Sequence, residues 1–353
     1  MIKLTDRNWK AFKVTDVFDE IERGKRLKNA DHIKGPVPYV ASSALNNGVT
    51  DFVQETHKTR SFRNCISLAN SGSIGTAFYE PFKFVASDHI THLKINHASQ
   101  EEYLFLAATI EKQKNNFGFN REINDTRIKA LKIMLPINDQ NKPDFDFIRQ
   151  YVIERKKIIV QRSLNLIDTK LKAIGTPRKI SELSGLHWKN FRLGKLFDIS
   201  RPKARIKSKY QSGSVPFVAS GAVNNGVSAM LKPKVGEILD KRNCITISPV
   251  DGSTFYQPID FLGRGGGGSS MIILRKDVLN EFNGQFLAKM IQHTFSKYSY
   301  GHMASSGTAG REVIMLPVDN QGQPDYQYME QYIKNLMIQK YKQYLTIICQ
   351  QKK

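Results

Sequence analysis

The chain has 353 residues, of which 40% are hydrophobic and 24% charged. This balance suits two globular domains and excludes an intrinsically disordered protein. Lys and Arg number 53 against 32 Asp and Glu, a formal net charge of +21. Such an excess favours contact with a polyanion, chiefly nucleic acid, although a basic surface can also serve solubility alone. No apolar run approaches the ~20 residues that a membrane-spanning helix requires, and residues 1–13 lack the pattern of a signal peptide.

The three cysteines indicate a reducing compartment. Cys65 and Cys244 each lie in an apolar, strand-like run, where we expect them to be buried as small hydrophobic side chains. An odd number of cysteines without a CxxC pair argues against a disulfide framework and against structural zinc. We therefore expect a cytoplasmic protein.

An internal repeat is the clearest feature of the sequence. VPYVASSALNNGV at residues 37–49 recurs as VPFVASGAVNNGV at residues 215–227, with 10 of 13 positions identical. Five further blocks recur in the same order, and their offset stays between 177 and 181 residues. The sequence therefore predicts two copies of one unit, with a period too long for a solenoid.

Each copy begins with a segment of short strands and turns. Runs rich in Val, Ile, Phe and Tyr alternate with Gly, Pro, Asn and Ser, as in a β-rich domain. Asn46-Asn47-Gly48 and Asn224-Asn225-Gly226 are predicted tight turns, because Asn and Gly tolerate positive φ. We favour that role over base reading. Helical spacing of apolar residues then predicts core helices at residues 101–115 and 278–297.

A longer helix closes each copy. Pro143-Asp144 and Pro324-Asp325 are the predicted start signals, and the first helix is expected to end at Ile174, before Gly175. Apolar residues at alternating spacings of four and three form a stripe on each helix. We expect the two stripes to pair antiparallel; the alternative is that each packs on its own domain. The stripes consist of Val160, Leu164, Ile167, Leu171 and Ile174 in the first helix, and of Tyr341, Leu345 and Ile348 in the second.

The predicted fold class is therefore α+β. It is a tandem repeat of two domains, each with a mixed or antiparallel sheet and packed helices, and each followed by a long helix. The predicted β-rich domains span residues 1–142 and 177–323, and the closing helices span residues 143–176 and 324–353.

No catalytic constellation stands out. The chain lacks the Asn-Pro-Pro or Asp-Pro-Pro of an amino-methyltransferase, a Walker A loop and an HExxH pair. The cluster of Asp88, His89 and His92 has no histidine counterpart in the second copy, so we interpret it as a local structural feature rather than a metal site. Asp144 and Glu154 have the letters of a nuclease motif, but they lie about 15 Å apart on one predicted helix. We expect no catalytic residue, metal or cofactor on this chain.

Two basic runs, residues 23–28 and 201–209, follow the first strands of the copies. Cations suit phosphates and polar side chains suit base edges. These runs and the later polar loops differ between the copies although they flank well-matched blocks. Such a difference is expected if the two copies read different DNA sequences. The alternative is ordinary loop drift after duplication. The glycine-rich stretch at residues 263–270 is either a loop near the DNA backbone or a plain exposed turn. The candidate DNA-binding residues are Lys25, Arg26, Lys28, Ser71, Ser73, Asn120, Arg121, Lys203, Arg205, Lys207, Lys209, Arg264, Tyr298, Tyr300 and His302.

Over essentially its full length the chain resembles the specificity (S) subunits of type I and BcgI-like type IIB restriction–modification systems. The most specific feature is a Leu-Pro followed by a long helix. The blocks that carry the resemblance are Trp9 with Val17-Phe18-Asp19, Val37-Pro38-Tyr39-Val40, Ile133-Met134-Leu135-Pro136 and Pro143-Asp144-Phe145, with their partners in the second copy.

The resemblance implies a division of labour. Each repeat would be a target-recognition domain that reads one part of a split double-stranded DNA target, and the closing helices would set the gap. Two methyltransferase, or fused nuclease–methyltransferase, subunits would bind the chain, carry S-adenosylmethionine and Mg²⁺, and flip the target adenine. A helix of about 31 residues spans roughly 46 Å, which favours a type IIB-like or compact type I system. The resemblance also implies a prokaryotic cytoplasm and association with the nucleoid.

Two other classes stay open at this point. A self-contained DNA-modifying enzyme would incorporate label from S-adenosylmethionine without a partner. A stand-alone DNA- or RNA-binding regulator would purify without a methyltransferase.

The antiparallel pairing of the closing helices can be tested by charge. We expect Leu164→Asp combined with Leu345→Asp to separate the two stripes, because two carboxylates cannot be buried unpaired in an apolar seam. The measurement is recovery of a co-expressed methyltransferase subunit with the tagged chain, which should be lost. Normal assembly of the double variant would contradict the pairing.

Overall fold

The computed structural model describes residues 1–118, 120–267 and 269–350. It divides into two compact units, Met1–Ser163 and Leu164–Lys353. The elements of the first unit are β1 (Trp9–Lys13), α1 (Val14–Val17), β2 (Glu20–Arg23), β3 (Lys34–Val40), β4 (Val49–Val53), β5 (Ser61–Phe62), β6 (Cys65–Ala69), β7 (Ala77–Glu80), β8 (Phe84–Ala86), β9 (Ile90–Lys94), α2 (Gln100–Glu111), α3 (Asp125–Ala130), β10 (Lys132–Pro136) and most of α4 (Phe145–Ile174).

The second unit repeats this order of elements, except that its described residues form no counterpart of β5. After the end of α4 it contains β11 (Trp188–Arg192), α5 (Leu193–Leu196), β12 (Asp198–Ser200), β13 (Ser212–Val218), β14 (Val227–Leu231), β15 (Cys244–Ile247), β16 (Thr254–Gln257), β17 (Leu262–Gly263), β18 (Ile272–Arg275), α6 (Glu281–Phe295), α7 (Ser306–Arg311), β19 (Val313–Pro317) and α8 (Tyr326–Gln350).

The strand pairing of the two units matches. One sheet is antiparallel, in the order β2-β9-β6-β7 in the first unit and β12-β18-β15-β16 in the second. A second sheet, β4-β3-β8-β5 or β14-β13-β17, contains one parallel pair, β3 with β8 or β13 with β17. A two-stranded antiparallel sheet joins the first and last strands, β1 with β10 and β11 with β19. The predicted tandem α+β repeat is therefore confirmed.

The main core of each unit lies between the antiparallel sheet and the helices. In the first unit Ile66 and Leu93 of the sheet cluster with Leu106 of α2, Ile133 of β10 and Ile148 of α4, and all five are essentially inaccessible to solvent. A matching cluster in the second unit joins the same elements. Each fully buried Leu or Ile contributes roughly 1.5–3 kcal/mol, so these clusters hold the helices on the sheet.

Side-chain caps begin both long helices, as predicted. Asp144 Oδ1 accepts a hydrogen bond from Phe147 N at 2.9 Å, and Asp325 Oδ1 accepts one from Tyr328 N at 2.8 Å. Burial by itself would raise the pKa of Asp144, but the Arg7 guanidinium and the Phe147 N–H outweigh it and lower that pKa. Asp144 is thus a structural cap rather than a nuclease ligand.

The Asn-Asn-Gly segments are the predicted tight turns. Asn46, Asn47 and Gly48 have φ values of 50°, 51° and 76°, and the three residues of the second turn have 51°, 56° and 76°. A Cβ on Gly48 would stand 3.0 Å from Ala41 O, so glycine is required there by both backbone and space.

The first closing helix ends at Ile174, as predicted, and Gly175 follows with φ +87°. Its stripe residues are buried or half-buried, and Ile167 is only 5% exposed. Ile348 in the second helix is 7% exposed, and Tyr341 and Leu345 are half-buried. The antiparallel pairing stays a prediction, as do the four domain boundaries.

The remaining structural expectations concern single residues. Cys65 and Cys244 are fully buried, and burial raises the pKa of each thiol to about 12. His92 is 2% exposed and stacks on Phe62 with ring centroids 3.8 Å apart. Among the described residues no group of His, Cys, Asp or Glu is arranged to hold a metal ion, and no helix is long and apolar enough to cross a membrane.

One buried position differs in charge between the units. Glu80 lies opposite Cys65 in the β6–β7 ladder of the first unit, and Gln257 lies opposite Cys244 in the equivalent β15–β16 ladder of the second unit. Ser67 Oγ donates to Glu80 Oε1 at 2.9 Å, while Glu80 Oε2 is buried without a hydrogen-bond partner. Gln257 Nε2 donates to Thr246 Oγ1 and to Asn225 O. Burial raises the pKa of Glu80 from its ordinary 4.5 to about 7.

Glu80→Gln should remove a pH dependence of stability. The folded chain holds the Glu80 proton more tightly than the unfolded chain, so wild-type stability falls as the pH rises from about 4.5 to about 7. Relative to wild type, we expect the variant to unfold with a similar free energy at pH 5 and with roughly 3 kcal/mol more at pH 8. Urea unfolding at the two pH values measures this. Gln257→Glu is the matched control and should introduce the same dependence; equal curves for wild type and Glu80→Gln would contradict the raised pKa.

Candidate nucleic-acid interface

The first basic run lies between β2 and β3 and exposes its cations. Lys25, Arg26 and Lys28 are exposed, whereas Leu27 between them is 8% exposed and packs in a small cluster with Tyr39. Tyr39 Oη also donates to Leu27 O. An apolar anchor therefore holds this run on the domain and turns its charges to solvent.

Hydrogen bonds join this run to the other predicted segments of the first unit. Arg23 Nη2 donates to Ile123 O at 3.3 Å, and Ile123 N donates to Asn70 O at 3.0 Å. Residues 23–28, 70–73 and 120–125 therefore lie side by side. Asn120 and Arg121 are exposed. The three segments form one polar, basic surface on this unit.

The two serines of this surface differ in availability. Ser73 is half-buried. Ser71 is 8% exposed, its hydroxyl shares a 2.7 Å hydrogen bond with His89 Nδ1, and its carbonyl accepts from Ser42 Oγ. Ser71 therefore shapes the turn rather than presenting a free hydroxyl. Phe119, beside Asn120, lies outside the described residues.

The second basic run exposes Lys203, Lys207 and Lys209, but Arg205 is a correction to the sequence analysis. Arg205 is 5% exposed and forms ion pairs with Glu237 at 2.8 Å and Asp240 at 2.7 Å. Burial alone would lower the pKa of Arg205, but the two carboxylates outweigh it and raise that pKa. A guanidinium so enclosed cannot reach a phosphate, so its role is structural.

The glycine-rich stretch packs against this run. Arg205 N donates to Gly265 O at 3.4 Å, and a Cβ on Gly265 would stand 2.1 Å from Pro202 O. The sequence needs glycine there because the backbones touch. Arg264 is half-buried, and its Nη1 donates to Ser269 O at 3.4 Å. Gly268 lies outside the described residues.

The aromatic candidates of the second unit separate into two groups. Tyr298 is 6% exposed, donates to Glu312 at 2.6 Å and stacks on His302, so it is a core residue rather than a DNA contact. Tyr300 is 83% exposed and His302 is exposed. These two remain candidates for the DNA surface.

An open cavity of about 600 Å³ lies beside the second basic run. Lys234 and Tyr210 line it together with the predicted Lys207, Lys209 and Arg264. Sequence reasoning missed Lys234 and Tyr210, although the basic Lys232-Pro233-Lys234 segment was a signal. The cavity offers cations around an aromatic surface, which suits a phosphate-bearing ligand with flat bases.

Both repeats match one family of known proteins. The model of the type I restriction modification DNA specificity domain matches residues 6–166 and again residues 186–346. The chain is 24% identical over 339 residues to the specificity subunit S.BcgI of a type II restriction enzyme from Heyndrickxia coagulans, covering 93% of this chain and 94% of that protein. It is also similar in fold to a type I restriction-modification S subunit from M. genitalium, with a TM-score of 0.51 and 16% identity, over 99% of this chain and 94% of that one.

Exposed lysines of the second basic run should contribute to the salt dependence of DNA binding. Lys203→Ala combined with Lys207→Ala should lower the slope of log K against log salt by about two, because each phosphate contact contributes roughly 0.9. Fluorescence anisotropy with a random-sequence 30-bp duplex at several salt concentrations measures it. Lys289→Ala, on the exposed side of α6, is the control for simple loss of charge. An unchanged slope in the double variant would remove this run from the interface.

Proposed function

Because this chain belongs to the family of type I restriction modification DNA specificity domains, with one copy in each repeat, we propose that it is the sequence-recognition subunit of a restriction–modification complex. Its two recognition domains read the two parts of a split DNA target. The observation that carries this proposal is the contrast within the repeat. The two units share their sheets, helix caps and Asn-Asn-Gly turns, whereas their exposed basic and polar loops differ.

Different loops on a matched scaffold support a target with two unlike halves. A symmetric dimer of identical readers would favour a palindrome, because its symmetry is copied into the DNA site. After its core helix α2 the first unit exposes Arg121, whereas after the matching helix α6 the second unit exposes Tyr300. The proposed target is therefore bipartite and non-palindromic.

The proposal assigns the chemistry to partner subunits. The chain carries no methyltransferase or nuclease motif in its sequence, and the letters that resemble a nuclease belong to the Asp144 cap and to Glu154, which accepts a hydrogen bond from Ile2 N. We assign S-adenosylmethionine and Mg²⁺ to two methyltransferase, or fused nuclease–methyltransferase, subunits. The relative S.BcgI is named as a type II enzyme's specificity subunit, which supports a system of that kind.

The closing helices set the proposed gap between the half-sites. The 30 residues of α4 and the 25 residues of α8 span roughly 45 and 37 Å at ~1.5 Å per residue. One turn of duplex is about 34–36 Å. Helices of this length suit half-sites separated by about one turn.

The function can be tested by co-expression with a candidate methyltransferase subunit from the same genome. We expect the tagged chain to recover that subunit, and the complex to transfer label from S-adenosylmethionine to DNA at one bipartite motif. The purified chain should incorporate no label in a single-turnover assay. Label incorporated by the chain alone would indicate a self-contained enzyme, and a chain that binds DNA but recovers no methyltransferase would indicate a stand-alone regulator.

A further inference from the structure

Arg205 is the one buried arginine within an otherwise exposed cationic run of the second unit, residues 203–209. All three of its nitrogens are hydrogen-bonded inside the domain. Nε donates to Glu237 Oε1 at 2.8 Å, Nη1 donates to Asp240 Oδ2 at 2.7 Å and to Gly263 O at 3.1 Å, and Nη2 donates to Ile238 O at 2.9 Å.

These bonds tie together three segments that are distant in the sequence. They are the second basic run, the loop at residues 234–240 and the glycine-rich turn that begins at Gly263. The two carboxylates extend the network, since Asp240 Oδ2 also accepts from Gly263 N at 3.0 Å, and Glu237 accepts from Tyr210 Oη at 2.8 Å and from Lys234 N at 3.1 Å. Loss of the guanidinium would remove the side-chain bonds that hold the basic run to the other two segments. Of the bonds between segments described above, only Arg205 N to Gly265 O and Gly263 N to Asp240 Oδ2 would remain.

All three segments contribute to the lining of the open cavity of about 600 Å³, together with residues of β13 and β14. The half-buried Tyr210 gives it an aromatic side, and Lys207, Lys209, Lys234 and Arg264 give it cations, whereas Phe217 in its lining is only 1% exposed. No carboxylate belongs to its described lining, whereas Arg205, which binds Glu237 and Asp240, does. The charged side chains of the described lining are therefore all cationic, and the opening of the cavity suits a nucleotide step of DNA, with phosphates on the lysines and a base face on Tyr210.

The first unit holds its basic run by a different means. Leu27 lies buried in a small cluster with Tyr39, Val53 and Val85. The equivalent cluster of the second unit contains Phe217 and Leu262, which pair in the sheet as Tyr39 and Val85 do. It contains no leucine from the second basic run. The two recognition loops thus depend on different interactions, one apolar and one ionic.

We propose that this cavity is where the second unit reads its half of the target, and that Arg205 is a positioning residue that shapes the cavity without touching DNA. This inference rests on the proposed function. Removing the guanidinium should then abolish recognition of one half-site and leave the other intact, because Leu27 holds the first basic run independently.

The variant that separates geometry from charge is the triple substitution Arg205→Met, Glu237→Gln and Asp240→Asn. It removes one positive and two negative charges, so the net charge of the chain rises by one and non-specific attraction to DNA does not fall. Changing all three residues together avoids the uncompensated buried charge that removal of one partner alone would leave. Lys234→Ala, at an exposed position of the cavity rim, is a second variant that leaves the network in place.

The experiment selects bound duplexes from a randomised DNA pool with the full chain in complex with its methyltransferase subunit. The wild-type complex should select two separated sequence blocks. The triple variant, with unchanged circular dichroism, should keep one block and lose at least tenfold enrichment of the other, and Lys234→Ala should weaken that same block. Full selection of both blocks by the folded triple variant, or by Lys234→Ala, would overturn the inference.

Two further outcomes identify where a failure lies. If Arg205→Met alone lowers the salt slope by about one and leaves both blocks intact, Arg205 is a direct phosphate contact and the positioning role is wrong. If the wild-type complex selects no bipartite motif, the proposed function itself is wrong and this inference falls with it.

Discussion

Each unit depends on the pairing of its first strand with its last. Trp9 lies opposite Pro136 in the β1–β10 ladder, and Trp188 lies opposite Pro317 in the β11–β19 ladder. The ladder brings together residues more than a hundred positions apart, and the chain continues from it directly into the capped helix. Asp144 N donates to Pro136 O, and Asp325 N donates to Pro317 O, so the start of each long helix is fixed by the same few bonds that close the domain.

The consequence is a scaffold that separates constant from variable parts. The indole of Trp9 donates to Leu4 O and that of Trp188 to Leu183 O, so even the residues before the first strand are held alike in both units. The basic and polar loops take no part in these bonds and differ in sequence between the copies, unlike the shared Asn-Asn-Gly turns. Their interior supports have diverged as well, from Leu27 in the first unit to Arg205 and its carboxylates in the second.

Much of the fold was predictable because its signals are local. An Asp three residues before the N–H that it caps, or an Asn-Asn-Gly that adopts positive φ, is specified by neighbours in the sequence. The duplication doubled each of these signals. The repeat also supplied the fold class, since the two copies had to share one architecture.

The candidate site was less predictable because burial is not local. Arg205 has the same chemistry as its exposed neighbours, and only Glu237 and Asp240, 32 and 35 residues later, make it an interior residue. Tyr298 likewise has the character of a surface aromatic in the sequence, but in the fold its hydroxyl donates a hydrogen bond to Glu312 and the residue is buried. In a basic chain nearly every lysine and arginine is a candidate DNA contact. Which of them are buried in ion pairs with acidic residues becomes apparent only from the folded structure.

The pairing of the first and last strands also bears on how such a chain could exchange a domain. A domain whose entry and exit strands lie side by side can be exchanged as a block, since the replacement needs only to present the same two strands at its ends. In this chain β1 and β10, or β11 and β19, are such ends. We therefore expect that one unit can be replaced by another of the same kind while the other unit keeps its own core, so that a single recombination event would give a new pair of recognition domains.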